Sequence, residues 1–60
     1  MTFKQLEKII KKDGWYIYKI VGSHYQYKHN VKMGKITIPK HCKELKKGTV
    51  NSVLKQAGLK

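Results

Sequence analysis

Apolar residues at Phe3, Leu6, Ile9 and Ile10 recur near the helical period, and Lys4, Lys8, Lys11 and Lys12 fall on the opposite side. Thr2 followed three residues later by Gln5 has the form of a capping box, and Gly14 supplies a C-terminal stop, so the pattern predicts a first helix between them. The period then changes. Trp15 to Val21 is aromatic and β-branched, and after Gly22-Ser23 the segment His24 to Lys28 alternates polar residues with tyrosine, as half-buried strands do. A two-residue loop with glycine at its first central position sets the register. Val21 is then expected opposite His24, with Ile20 and Tyr18 sharing a face with Tyr25 and Tyr27, and Lys19 joining Gln26 on the other. One face of the hairpin should be apolar and aromatic; the other should collect His24, Lys19 and Lys28.

Beyond the loop HNVKMG, the segment KITIP predicts a third short strand with Ile36 and Ile38 on the core face and Pro39 closing it. Thr49 is placed to cap a second helix, whose stripe is Val50, Val53, Leu54 and Ala57 before Gly58. No repeat, linker or low-complexity segment divides these pieces. The expected architecture is α+β: helix, three-stranded antiparallel sheet, helix, with both helices on one sheet face and residues 1–60 forming a single domain. A chain of this size buries only about 60% of the surface it exposes when unfolded, which leaves room for one small core.

Charge narrows the function classes. Lys and Arg number 14 against 3 Asp and Glu, a formal net charge of +11, and such a field attracts polyanions, of which nucleic acid is the commonest. A membrane partner is not expected, because no apolar run approaches the roughly 20 residues that span a bilayer and MTFKQLEKII is too polar for a secretory segment. A cytoplasmic location is the expectation. Cys42 is the one cysteine, which excludes an intramolecular disulfide. Beside His41, and with His24 and His29 far back in sequence, it has neither a CxxC partner nor structural-zinc spacing, so no metal or other cofactor is expected.

A histidine on a strand is ordinarily structural or merely on the surface. His24 differs by its expected place at the mouth of a tight turn, opposite the aromatic face and among lysines that can hold phosphate oxygens. Serine nucleophile chemistry fits poorly, because Ser23 points away from its neighbour His24 in an extended chain and no carboxylate is placed to orient the base. Paired carboxylates fit worse, since only Glu7, Asp13 and Glu44 are acidic. Tyr16, Tyr18, Tyr25 and Tyr27 could form a base-stacking platform, but a core this small needs most of their area. RNA cleavage remains. RNA carries its own nucleophile, the 2′-OH, so an enzyme need only remove that proton, protonate the departing 5′-oxygen and stabilise the charged transition state. Imidazole can give or take a proton near neutral pH, and lysines can supply the electrostatics.

These residues carry a resemblance. Gly14-Trp15 at the end of the first helix, a basic residue three before the turn, "GSH" at Gly22, Ser23 and His24, the aromatic Tyr27, "TIP" running into His41 and the ending "ELKKGTVNSVLKQAGL" together resemble the HicA toxins of bacterial and archaeal toxin-antitoxin pairs. The resemblance covers nearly the whole chain. It implies a fold like the double-stranded RNA-binding domain, a metal-independent ribonuclease acting on mRNA, a HicB-type antitoxin that neutralises it, and His24 as the catalytic residue. Two positions depart from the family pattern: Lys19 stands where arginine is usual, and Lys40 where a histidine often precedes His41.

The sequence thus assigns His24 as general acid or base, Lys19, Lys28 and Ser23 as RNA contacts, and Gly22 as the residue that permits the presenting turn. The second proton-transfer group is left open among Ser23, a tyrosine, a lysine and water. A non-catalytic RNA-binding module using the same basic face is the alternative. A DNA-binding regulator ranks last, because the second helix has no clear helix-turn-helix partner in the first.

Overall fold

A computed structural model describes residues 1–40 and 44–60 of the chain. Its elements run α1 (Phe3–Lys12), β1 (Trp15–Val21), β2 (His24–His29), β3 (Ile36–Pro39) and α2 (Lys47–Gln56). The strands form an antiparallel meander in the order β1-β2-β3. Helix α1 lies over β1 and α2 over β3. Both helices cover the same face, because Phe3, Leu6 and Ile10 of α1, Trp15, Tyr27, Ile36 and Ile38 of the sheet, and Val50 and Val53 of α2 with Ala57 just after it share one core.

Helix α1 starts where its sequence says it should. The Thr2 hydroxyl accepts from the Gln5 backbone N–H at 3.2 Å and the Gln5 side chain accepts from the Thr2 N–H at 2.9 Å, satisfying two otherwise orphaned donors. Ile9 departs from the expected stripe: it is exposed at the edge of the helix, while Phe3, Leu6 and Ile10 fill the core. The helix ends at Asp13, and Gly14 follows with φ of +111°, a conformation side chains rarely adopt.

Helix α2 begins three residues earlier than a Thr49 cap would give. Lys46 is its N-cap and makes no side-chain cap hydrogen bond, so Thr49 lies inside the first turn and is not the cap. Packing replaces capping here. Leu45, just before the cap, and Val50, at the fourth helical position, are both buried in the core, the arrangement of a hydrophobic staple. The Leu45 N–H also donates to the Met1 carbonyl at 2.8 Å, which ties the entry of α2 to the start of α1.

The hairpin has the expected register at its turn. Val21 pairs with His24, Ile20 with Tyr25 and Lys19 with Gln26; Gly22 takes φ of +59°, as a two-residue loop with glycine first requires. Lys40 N–H donates to the Ser23 carbonyl at 2.7 Å, so the end of β3 braces the turn. Further down β1 the expectation fails. A bulge between Ile17 and Lys19 inserts Tyr18 as an extra residue, after which Ile17 faces Tyr27 and Trp15 faces His29. Trp15 and Ile17 therefore point to the helices, and Tyr16 and Tyr18, 43% and 38% exposed, to the open side. Tyr18 does not share the face of Tyr25 and Tyr27. Ile20 keeps that register but is half exposed, lying beyond the reach of the helices. Of the four tyrosines, Tyr27 alone is fully in the core, with Tyr25 half-buried against it and edge-on to Phe3.

A candidate active site on the open sheet face

Strand alternation and the register gather one set of side chains on the face that no helix covers. Pairing of Val21 with His24 and Pro39, of Lys19 with Gln26 and Thr37, and of Tyr16 with Lys28 sets His24, Lys19 and Lys28 together there, with Tyr18 added by the bulge. His24 is exposed, and among the described residues none hydrogen-bonds its ring. Both of its ring nitrogens are thus unengaged by the described residues. Ser23 lies in the turn itself, where its carbonyl is engaged by Lys40 while the residue remains exposed. No atom of the described residues lies within 4 Å of where a Gly22 Cβ would be, so among them it is the positive φ and not crowding that calls for glycine there.

The face is positive without local compensation, because the acids are used elsewhere. Glu7 accepts from the Tyr27 hydroxyl at 2.5 Å beneath α1, Asp13 pairs with Lys32 at 2.6 Å, and Glu44 lies 3.6 Å from the N-terminal amine. The chain's 3 acidic residues are thereby accounted for. Burial, with the Glu7 hydrogen bond, pushes the Tyr27 phenol well above its ordinary pKa, which keeps that hydroxyl a donor at any neutral pH. Lys28 sits with its ammonium 4.4 Å from the centre of the Tyr18 ring, and Lys35, which precedes β3, lies 5.7 Å from it. The Tyr18 hydroxyl donates to the Gln26 side-chain oxygen at 3.2 Å. Lys35, then Lys28 and Lys19, draw the Tyr18 phenol below its ordinary pKa of 10, since nearby cations favour the phenolate. Sequence reasoning missed Tyr18, Lys35 and Gln26 as a group. Only the bulge brings Tyr18 to them, and a bulge leaves no mark in the hydropathy pattern.

The second histidine of β2 is built into the fold. His29 Nε2 donates to the Asp13 carbonyl at 2.8 Å, and Nδ1 accepts from the backbone N–H groups of Val31 and Lys32, both at 3.0 Å. Two donors aimed at Nδ1 define the tautomer: the proton is on Nε2. The ring packs edge-on to Trp15 at 5.2 Å, and its Nε2 would lie 2.7 Å from a Cβ at position 14, so Gly14 is required by the neighbour as well as by its φ. Lys32 completes this knot, donating to Asp13 Oδ2 at 2.6 Å and to the Ala57 carbonyl at the end of α2 at 2.8 Å. The Lys32 contact, first of all, holds the Asp13 carboxyl below the usual carboxylate range.

Among the described residues no three of His, Cys, Asp and Glu come together as metal ligands would. His41 and Cys42, the pair weighed for metal binding, lie outside the described residues, as does the "TIP" motif's continuation into His41. No helix among the described residues is long and apolar enough to cross a membrane.

A helix, a three-stranded antiparallel meander and a second helix on the same sheet face, with a basic open face, define a small α+β protein, an order of elements consistent with the double-stranded RNA-binding-domain type. Residues 3–59 match the family described as HicA toxin of bacterial toxin-antitoxin, and the chain belongs to that family. It is accordingly a toxin of a toxin-antitoxin pair. A search of curated proteins finds no match to the chain.

Proposed function

We propose that this toxin is a metal-independent endoribonuclease of mRNA, with His24 as its proton-transfer residue and a HicB-type antitoxin as its inhibitor. The observation that carries the reading is the grouping of an exposed imidazole, engaged by none of the described residues, with Lys19 and Lys28 on a sheet face that holds no carboxylate. Such a face attracts a polyanion, and the imidazole meets the phosphate where it is held. The chemistry then asks little of the protein. His24 accepts or donates a proton at the 2′-oxygen or the 5′-oxygen, Lys19 and Lys28 stabilise charge on the non-bridging oxygens, and Ser23 contacts the strand beside the turn. Every basic side chain that can help is lysine, because the chain has no arginine. Phosphate is therefore held by point charges rather than by a bidentate fork. An acidic antitoxin seated over His24, Lys19 and Lys28 would exclude RNA by occupying the same charges, with complementarity speeding its association.

The test is cleavage of RNA by the purified protein in excess chelator, repeated with a strand carrying one 2′-deoxy nucleotide at the mapped cut site. Cutting of the all-ribose strand with resistance at the deoxy position is expected, with similar affinity for both. Cutting at the deoxy position contradicts the mechanism. Binding without any cutting leaves a non-catalytic RNA-binding module as the better description.

A further inference from the structure

Cleavage through the 2′-hydroxyl needs two proton movements on opposite sides of phosphorus, and one imidazole cannot make both at once. We propose that Tyr18 is the general acid that protonates the departing 5′-oxygen, with His24 taking the proton of the 2′-hydroxyl. This rests on the ribonuclease reading above and goes beyond it in naming the second group.

Three observations carry it. The bulge at Tyr18 turns that side chain out of the core onto the face of His24, and bulges are a common device for re-aiming a side chain next to an active site. Next, the hydroxyl has a defined position. It lies 3.2 Å from the Gln26 side chain, and Gln26 is the next residue after His24 on that face of β2, about 7 Å along the strand. A phosphate between them can meet a hydrogen-bonding group on either side, each at about 2.6–3.2 Å. The surroundings also suit an acid that must leave as an anion. Lys28 and Lys35 stand at the ring and Lys19 adjoins it in β1, while the acidic side chains Glu7, Asp13 and Glu44 are engaged away from this face. The lowered phenol pKa follows from the same lysines. Tyr16, the other exposed tyrosine of β1, has no such set of contacts among the described residues.

The step balances. The 2′-hydroxyl proton passes to His24 as the 2′-oxygen bonds to phosphorus; the bond from phosphorus to the 5′-oxygen breaks and that oxygen takes the Tyr18 proton. The products are a 2′,3′-cyclic phosphate, a free 5′-hydroxyl, an imidazolium at His24 and a phenolate at Tyr18 flanked by lysines. Water returns both to their starting states.

The experiment compares wild type, Tyr18→Phe and His24→Ala on two RNAs that differ at one atom: an ordinary strand, and one whose leaving 5′-oxygen at the cut site is replaced by sulfur. A thiolate leaves without protonation, so it no longer needs the acid. Tyr18→Phe should cut ordinary RNA about 100-fold more slowly or worse, and the sulfur strand at near the wild-type rate. His24→Ala should be slow on both. Phenylalanine keeps the ring, so unchanged affinity for a 2′-deoxy-blocked strand is expected and shows that the variant is folded. Near wild-type cutting of ordinary RNA by Tyr18→Phe overturns the proposal while sparing the ribonuclease reading, and so does equal slowing on both strands. A wild-type protein that cuts neither strand overturns both.

Discussion

His24 and His29 stand at the two ends of the same six-residue strand and have opposite fates. The His29 ring is engaged at both nitrogens, packs on Trp15 and leaves its side chain 11% exposed. The His24 ring is exposed, with no hydrogen-bond partner among the described residues. Both are the same residue type on one strand, and neither neighbour in sequence tells them apart. What separates them is the register: His29 pairs with Trp15 on the helix-covered side, while His24 pairs with Val21 on the open side. One histidine holds the loop between β2 and β3 to the end of α1. The other has no such anchor among the described residues.

If that contrast is real, the largest loss of stability should come from the end of β2 that has no assigned chemistry. His29→Ala removes the partner of the Asp13 carbonyl and leaves two backbone N–H groups without their acceptor, at a cost of about 2–3 kcal/mol. For a domain of this size that is a fall in melting temperature on the order of 10 °C or more. A His29→Ala protein that melts with wild type would mean the knot is incidental.

Gly14→Ala should follow at about 1–2 kcal/mol, from a positive φ and a methyl group driven against the His29 ring. Because the crowding atom belongs to His29, the cost should shrink when the substitution is made in the His29→Ala background, and thermal melts of the four proteins read that coupling directly. Simple additivity would place the whole effect in the backbone.

The smallest effect is pH-dependent. Lys32 holds the Asp13 carboxyl below its ordinary value, so the stabilisation is present above the unfolded pKa of about 3.9 and is lost as pH falls through the lower folded value. Asp13→Asn should therefore melt below wild type at neutral pH, with a deficit that closes as pH drops below about 4. A deficit independent of pH would show that the ion pair with Lys32 contributes nothing beyond its hydrogen bonds.

Much of this was legible in the chain, and the illegible parts have physical reasons. The capping box at Thr2 and Gln5, the turn at Gly22-Ser23 and the stripes of α2 and β3 are local signals, each written within a few residues, and the structure carries them as read. The same turn sets the face of His24, Lys19 and Lys28, because pairing next to a two-residue loop is dictated by the loop. The reading fails where long-range contacts decide. In WYIYKIV every position but Lys19 is apolar or aromatic, so the pattern suits either phase, and the inserted Tyr18 cannot be seen until Trp15 is known to sit in the core and Ile17 to pack against it. Thr49 has the right chemistry for a cap, but Leu45 and Val50 pack in the core and start α2 earlier. The role of His29 depends on a backbone carbonyl from α1, to which no residue pattern points.

The central claim is that the exposed histidine of β2 does the chemistry while the fold stands without it. The most direct measurement is the rate of RNA cleavage by His24→Ala in excess chelator, taken beside its melting temperature and its RNA affinity. The account predicts loss of cleavage by about 100-fold or more, with stability within roughly 0.5 kcal/mol of wild type and affinity nearly unchanged. A variant that still cuts at near the wild-type rate, or one that loses its fold and its affinity together, would contradict it.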